Sequence, residues 1–388
     1  MSLDIEQYEW LVSPAGREVL QIAALDSRQW ARMQGVTPAQ RILVDAQVRL
    51  RAKAAAKFPE GGELFFTSIG LQQSTDSMIA RYKSTRFVGL DTIADFCCGI
   101  GGDLNRLGAV GCAIGYDRDP LHVLLANANC AALGVKAEAK QQDVTTIDPN
   151  AFDAWHIDPD RRASGGRTIQ PDHFQPSTVT LQSMLCRNPI GAVKMAPATP
   201  TDVPWLQEAE LEWIGHSRSC QQVVAWFGEL ARNPTQRVAT LLRPNEPPVS
   251  FVGEEEPPNV VDQIDEYIFE PHSAVLAASL AGTLANSVGL DAVIPGGGYL
   301  TGRQPHASPL LSAFRVLEAT SFRPKKIRKR LANLGCGIVE VKQRGVNVDP
   351  TMLQKRWRGE GNRGLTVLVT RRGKSIIAII VERVVDNS

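Results

Sequence analysis

The stretch Ile93-Ala-Asp-Phe-Cys-Cys-Gly-Ile-Gly-Gly-Asp-Leu-Asn105 constrains this chain more than any other. A short apolar run ends in an acid, turns through Gly-x-Gly-Gly, and reaches an Asp that opens a helical pattern. A strand, a tight glycine turn and a helix in that order let the backbone pass close beneath a bound nucleoside. Further acids follow where later strands end: Asp117 in Ala-Ile-Gly-Tyr-Asp, Asp143 in Lys-Gln-Gln-Asp-Val, and Asp158 in Trp-His-Ile-Asp-Pro-Asp-Arg-Arg. A glycine turn alone is a weak signal. Four acids at successive strand ends are a much stronger one.

The pattern around this stretch is an alternation of strands and helices. Thr92–Phe96, Ala113–Asp117, Ala137–Gln142, Ala154–Asp158 and Gly191–Met195 read as strands, with helices from Leu104 to Val110 and from Pro120 to Leu133. Such alternation predicts a parallel sheet covered on both faces, with its ligand beyond the carboxyl ends of the strands. Val223–Phe227 and Arg237–Leu242 suggest an antiparallel end to that sheet. Residues 1–85 read as a helical region, with Thr37-Pro-Ala-Gln a capped helix start. Pro244–Pro258, with five prolines and four glutamates, reads as a break. Residues 259–318 form a mixed segment that includes one Ala/Leu-rich helix, Ser273–Val288. Residues 320–388 read helix, strand, helix, strand, strand, with Arg371-Arg-Gly-Lys374 as a hairpin turn.

Charge is unevenly placed. From Arg323 to Ser388 there are 16 Lys and Arg against five Asp and Glu, a net +11, whereas the whole chain carries +1. A basic module at one end favours a polyanionic partner. No run approaches the about 20 apolar residues that span a bilayer, so no membrane partner is expected. The N-terminus lacks the basic start and apolar core of a secretory signal, which predicts a cytoplasmic protein. The cysteines form no Cys-x-x-Cys pair and no Cys/His cluster, so no metal is expected either.

Asp117 lies 22 residues beyond Asp95, the spacing of an acid that grips ribose hydroxyls in such folds. That spacing does not separate a nicotinamide dinucleotide from S-adenosylmethionine. The glycine pattern does: a dinucleotide fingerprint has a third glycine where this chain has Leu104. Asp95, just ahead of the turn, would repel a pyrophosphate and suits the cationic methionine end of S-adenosylmethionine.

Asp95-Phe-Cys-Cys-Gly-Ile-Gly101 resembles the first motif of class I S-adenosylmethionine-dependent methyltransferases, in a form frequent among RNA-modifying members, with Cys97 in place of the usual first glycine. Ala54-Ala-Ala-Lys-Phe-Pro59, Asp158-Pro-Asp-Arg-Arg162, Tyr267-Ile-Phe-Glu-Pro271, Tyr299-Leu-Thr-Gly302 and Lys342-Gln-Arg-Gly-Val-Asn-Val-Asp-Pro350 resemble a bacterial family of THUMP-like-domain methyltransferases. The resemblance implies an α/β fold: a Rossmann-like class I methyltransferase sheet (86–245) with an N-terminal helical region (1–85), a small ferredoxin-like segment (259–318), and a C-terminal basic α+β THUMP-like domain (320–388). It implies cofactor contacts from Asp95, Phe96, Cys97, Gly99, Gly101, Asp117, Arg118, Asp143, Val144 and Asp158. Asp95 and the loop would take the methionine part, Asp117 the ribose, and Asp143 with the Val144 backbone the adenine. Asp158 and Pro159 would meet the methyl acceptor. That family's strand-4 motif has alanine where this chain has Asp160.

THUMP-type domains imply structured RNA, transfer or ribosomal, as the substrate. Lys325, Lys326, Arg328, Lys329 and Arg330 would then hold phosphates, and Arg161 and Arg162 a phosphate near the acceptor. Alternatively, the arginines pair with Asp160 and Asp158 only caps a turn. Trp357, between Arg356 and Arg358, either stacks on a base or packs in a core. His156, inside the fourth strand, reads as a satisfied packing histidine. Two other readings stay open: an RNA-binding protein that keeps the fold without turnover, and a methyltransferase for a small molecule or a protein.

Overall fold

The computed structural model describes residues 4–160 and 169–384. They divide into two compact units: 4–211 with 222–235, and 212–221 with 236–384.

The first unit opens with six helices: α1 (Ile5–Val12), α2 (Pro14–Leu25), α3 (Ser27–Arg32), α4 (Pro38–Ala54), α5 (Ser68–Gln73) and α6 (Ser77–Ser84). Their starts are written locally. Ser13 caps α2 ahead of Pro14, and Thr37 and Gln40 close a reciprocal capping box on α4, satisfying amides that helix geometry leaves bare. Leu11, Leu20, Leu43, Phe65 and Phe66 from these segments are buried with Leu125 and Ala128.

The sheet follows: β1 (Thr92–Phe96), β2 (Cys112–Asp117), β3 (Ala137–Gln141), β4 (Ala154–Ile157) and β5 (Gly191–Met195), then β6 (Glu210–His216), most of which belongs to the second unit, and β7 (Ser219–Trp226), most of which belongs to the first. Helices α7 (Leu104–Leu107), α8 (Pro120–Leu133) and α9 (Thr178–Arg187) join the parallel strands. Strand order in this unit runs β3-β2-β1-β4-β5-β7, with β3, β2, β1, β4 and β5 parallel and β7 antiparallel to β5. The order reverses direction at β1 and β4, so a crevice opens beyond their carboxyl ends. Asp95 stands in register with both Gly115 and His156. Burial across β4 and β5 is complete, as expected of strands covered on both faces.

One side chain ties the helical segment to the glycine turn. Asn129 of α8, 1% exposed, accepts from Phe65 N at 2.7 Å and donates to Phe65 O at 3.1 Å and Ile100 O at 2.9 Å.

The second unit contains β8 (Arg237–Leu242), paired antiparallel with β9 (Val249–Gly253), and a seven-stranded sheet. That sheet is built from β10 (Tyr267–Pro271), β11 (Asp291–Ala292), β12 (Leu300–Gly302), β13 (Leu311–Ser321), β14 (Cys336–Arg344), β15 (Arg363–Arg372) and β16 (Ser375–Arg383), in the order β11-β12-β10-β13-β16-β15-β14. Helices α10 (Ser273–Ala277), α11 (Ala281–Val288), α12 (Pro324–Asn333) and α13 (Pro350–Trp357) complete it. Alternation sorts the two faces. Val339, Val341, Leu365, Val367 and Val369 pack with Ile327, Leu331, Leu353 and Trp357 from α12 and α13. Leu368, Ile379 and Val381 pack on the other side with Ile268, Phe314 and Tyr299.

Several expectations need correction. The Ser273–Val288 helix is two helices, broken where Ser279 takes a left-handed φ of 56°. The helix after the glycine turn stops at Leu107, because Gly108 caps it and the chain must turn at once into β2. The Pro/Glu-rich break contains β9, whose half-buried alternation is short and flanked by prolines. The eleven-residue strand β13 has no counterpart in the elements expected from sequence. Trp357 is 2% exposed and packs edge-on against Phe322 at 6.4 Å, so the base-stacking alternative falls.

Replacing Asn129 with Leu should strand three buried backbone groups and cost about 3 kcal/mol. Urea unfolding should show a lower midpoint at unchanged slope.

Candidate active site

Where β1 ends, Cys97 (φ 58°), Gly99 (φ 55°) and Gly101 (φ 88°) all adopt left-handed backbone, which glycine takes freely and cysteine does not. The turn is held from beneath. Cys98 N donates to Tyr116 O at 3.1 Å, and Gly99 N donates to Asp117 Oδ2 at 2.9 Å. A methyl group added at Gly99 would meet nothing within 4 Å, so this backbone faces open space. That space is a cleft of about 530 Å³ lined by Asp95, Cys97, Asp117, Asp143, Asp158 and Pro159, among others. Gly101 lies beneath, where an added Cβ would sit 3.5 Å from Ala126 Cα. Phe96 does not line the cleft: its ring packs 5.9 Å from Tyr116 and 6.3 Å from Trp155 in the core.

Asp117 is buried at the end of β2. Its Oδ1 accepts from Asp119 N at 2.9 Å, and His122 Nδ1 stands 3.4 Å away. Burial alone would raise this carboxyl, but His122 and the amides of Asp119 and Gly99 hold it below its ordinary value. Oδ2, which accepts from the Gly99 amide, keeps a lone pair for a hydroxyl donor. Asp143 is exposed, and its Oδ1 accepts from Thr145 N at 2.9 Å and Thr145 Oγ1 at 2.8 Å, which hold its carboxyl low. Val144 beside it is buried. Arg118 borders the cleft and reaches Asp160 Oδ2 at 3.6 Å.

Asp158 follows β4 and is paired at 2.5 Å with Lys194 of β5, itself 7% exposed. Lys57, from the Ala54–Pro59 motif, donates to Leu71 O at 3.0 Å. Burial, with Lys194 nearby, lowers its amine to about 8 against the opposing pull of Asp76, Asp103 and Asp158. Deeper still, His156 Nδ1 lies 2.7 Å from Asp95 Oδ1 and its Nε2 lies 3.0 Å from Lys83 Nζ. Lys83 pairs with Asp103 Oδ1 at 2.7 Å, and Asp103 Oδ2 accepts from Thr75 Oγ1 at 2.5 Å.

Known proteins bear on this geometry. Residues 311–383 match the THUMP domain-like family. An uncharacterized S-adenosylmethionine-dependent methyltransferase of Mycobacterium tuberculosis is 33% identical over 336 residues, covering 84% of this chain and 91% of the relative. The same likeness holds for the protein of a second strain, H37Rv. The chain belongs to this family of S-adenosylmethionine-dependent methyltransferases. The fold agrees: the crystal structure of a proposed methyltransferase from Porphyromonas gingivalis W83 superimposes with a TM-score of 0.77 at 18% identity, covering 95% of this chain and 99% of that one.

The methyltransferase cleft fits its cofactor on chemical grounds. Asp95 Oδ2 is buried and finds no hydrogen-bond partner among the described residues, and an orphaned carboxylate oxygen calls for a cationic donor. The acidic lining suits a ligand with a sulfonium and an ammonium. No group of His, Cys, Asp and Glu suited to a metal occurs among the described residues, and no helix there is long and apolar enough to cross a membrane.

Of the other sequence candidates, Arg161 and Arg162 lie outside the described residues. Lys325, Lys326, Arg328, Lys329 and Arg330 are all exposed on α12, while Ile327 and Leu331 bury its other face. Arg330 also reaches Glu318 at 3.3 Å. Sequence reasoning missed Lys57, Thr75, Lys83, Asp103 and Lys194. One signal was present: His156 and Lys194 are polar residues inside strands otherwise buried on both faces, where such groups need partners.

Burial opposes ionisation of Asp103, but Lys83, His156 and Lys194 outweigh it and hold the carboxyl well below the ordinary range. A carboxylate depressed in the folded state adds stability above its unfolded titration, near pH ~4, and loses it as pH falls further. Asp103→Ala should therefore cost about 3–5 kcal/mol at neutral pH by leaving Lys83 buried and unpaired. The gap to the parent protein should narrow in unfolding curves taken below pH ~4.

Proposed function

We propose that this S-adenosylmethionine-dependent methyltransferase acts on a nucleotide of structured RNA, transfer or ribosomal, docked by its basic C-terminal module. The observation that carries this reading is the +11 charge of Arg323–Ser388 together with five exposed cations on α12. Cations spread around one helix face suit phosphates rather than base edges. The THUMP domain-like match over 311–383 supports the same partner.

In this reading Asp95 takes the ammonium of the cofactor and the Gly99 backbone passes beneath its methionine part. Asp117 accepts from the ribose hydroxyls while continuing to hold the Gly99 amide. Asp143 accepts from the adenine amino group beside Val144, and Arg118 borders the same side of the cleft. Bound S-adenosylmethionine supplies an electrophilic methyl group on a sulfonium.

The chain's own work is to position the acceptor in line with that methyl group and to exclude water. Asp158, held by Lys194, accepts a hydrogen bond from the acceptor nitrogen or takes its proton. Pro159 fixes the backbone at that edge. Arg161 and Arg162 would hold a phosphate beside the acceptor.

The test is transfer of tritium from labelled S-adenosylmethionine into total RNA from a strain lacking the protein. Label should appear in nuclease-sensitive material with the parent enzyme and fall by about 100-fold or more with Asp158→Ala. Label that survives nuclease, or none at all with the parent enzyme, would overturn the RNA reading. Replacing Lys325, Lys326, Arg328, Lys329 and Arg330 with Gln should weaken RNA binding and leave cofactor affinity unchanged. The slope of log affinity on log salt should shrink by roughly 0.7–0.9 for each phosphate that is no longer neutralised.

A further inference from the structure

Asp95 is 1% exposed, yet only one of its oxygens is engaged. His156 Nδ1 lies 2.7 Å from Oδ1, while Oδ2 is buried and finds no hydrogen-bond partner among the described residues, in a residue that lines the cleft. Behind His156 the contacts continue inward. Its Nε2 faces Lys83 Nζ at 3.0 Å, Lys83 faces Asp103 at 2.7 Å, and Asp103 accepts from Thr75 at 2.5 Å. Lys83, Asp95, Asp103, His156 and Thr75 are all buried.

The Lys83–His156 contact fixes the ring. If Lys83 is an ammonium it can only donate, so Nε2 must accept and the proton of the neutral ring sits on Nδ1. If the shared proton moves to Nε2, the ring becomes imidazolium and Nδ1 is again protonated. In both distributions an Nδ1–H points at Asp95 Oδ1. The other neutral tautomer would need an uncharged Lys83, which its pairing with Asp103 at 2.7 Å opposes.

We propose that Lys83 and His156 are positioning residues for the cofactor: they keep Asp95 Oδ1 occupied and leave Oδ2 as the one uncommitted oxygen, which takes the ammonium of the amino-acid end of S-adenosylmethionine. This rests on the assignment of Asp95 to the ammonium. Fold stability gives no reason for such a chain of contacts, because apolar residues of the same shape are at least as stabilising as a buried charge network. A fixed carboxylate rotamer does give one. Lys83 on α6 and Thr75 just before it also make the helical segment part of the cofactor site.

The groups facing Asp95 are His156 on β4, Lys83 on α6, Asp103 beyond the turn, Cys130 on α8, and Cys97 and Cys98 next in the chain. Burial pushes the Asp95 carboxyl up, and His156 pulls it partly back. A protonated Asp95 loses its attraction for a cation, so affinity falls as pH falls through that raised value. Without His156 the fall should begin at a higher pH.

The test compares two ligands by calorimetry across pH: S-adenosylhomocysteine, which carries the ammonium, and 5′-methylthioadenosine, which lacks the amino-acid end. His156→Leu should weaken S-adenosylhomocysteine on the order of tenfold and move its pH midpoint upward, with 5′-methylthioadenosine unchanged. His156→Asn, which keeps an N–H donor near the Nδ1 position, should recover part of the loss. Lys83→Met gives the same comparison should His156→Leu fail to fold. Equal weakening of both ligands, or of neither, in folded variants would overturn the proposal. Asp95→Asn separates the two layers. If it fails to discriminate between the ligands, the assignment of Asp95 is wrong; if it discriminates and the His156 and Lys83 variants do not, only the relay is wrong.

Discussion

Five buried polar side chains beneath one glycine turn are tolerable only because each stands within hydrogen-bonding reach of another. Lys83 and Asp103 neutralise one another at 2.7 Å, His156 bridges Lys83 to Asp95, and Thr75 covers the remaining oxygen of Asp103. An uncompensated charge at that depth would cost several kcal/mol, so removing one charged member alone is destabilising. The architecture follows from this. Asp95 and His156 come from paired parallel strands, Asp103 from the turn, and Lys83 and Thr75 from the helical segment. The helices are therefore a wall of the site, and Asn129, joining Phe65 to Ile100, fastens that wall to the turn.

The second organising contact is the Asp117 carboxylate on the Gly99 amide. It shapes the turn with protein groups alone, so the turn does not depend on a ligand for its hydrogen bonds. Little rearrangement is then needed on binding, which limits the entropy lost. Asp158 has its own fixed partner in Lys194. The cleft is thus preorganised on opposite sides by two unrelated pairs, one gripping backbone and one gripping a side chain.

What the sequence made legible was whatever is encoded over short distances. Strands β1, β2, β3, β4 and β5, the capped helices and the acids at strand ends all depend on neighbours within one element or one turn. Asp95, Asp117, Asp143 and Asp158 duly border a single cleft. What stayed hidden depends on partners far along the chain. Lys83 meets His156 across 73 residues and Lys194 meets Asp158 across 36, separations no periodicity records. Strand β9 was masked by flanking prolines, and Ser279 broke a helix that composition alone would have continued. The ring of Phe96 went inward because alternation in β1 can aim only one of two adjacent residues at the cleft.

The two adjacent thiols in the cleft, Cys97 and Cys98, have a chemical consequence. A thiolate is a strong nucleophile, and any sulfonium methyl donor held in this cleft would find it a competing acceptor. Burial pushes both thiols well above their ordinary range, and the carboxylates of Asp117 and Asp95 push them further. They stay protonated and nearly inert toward alkylation. The acids that make the cleft attractive to a cation also disfavour the thiolate that would compete for a methyl group.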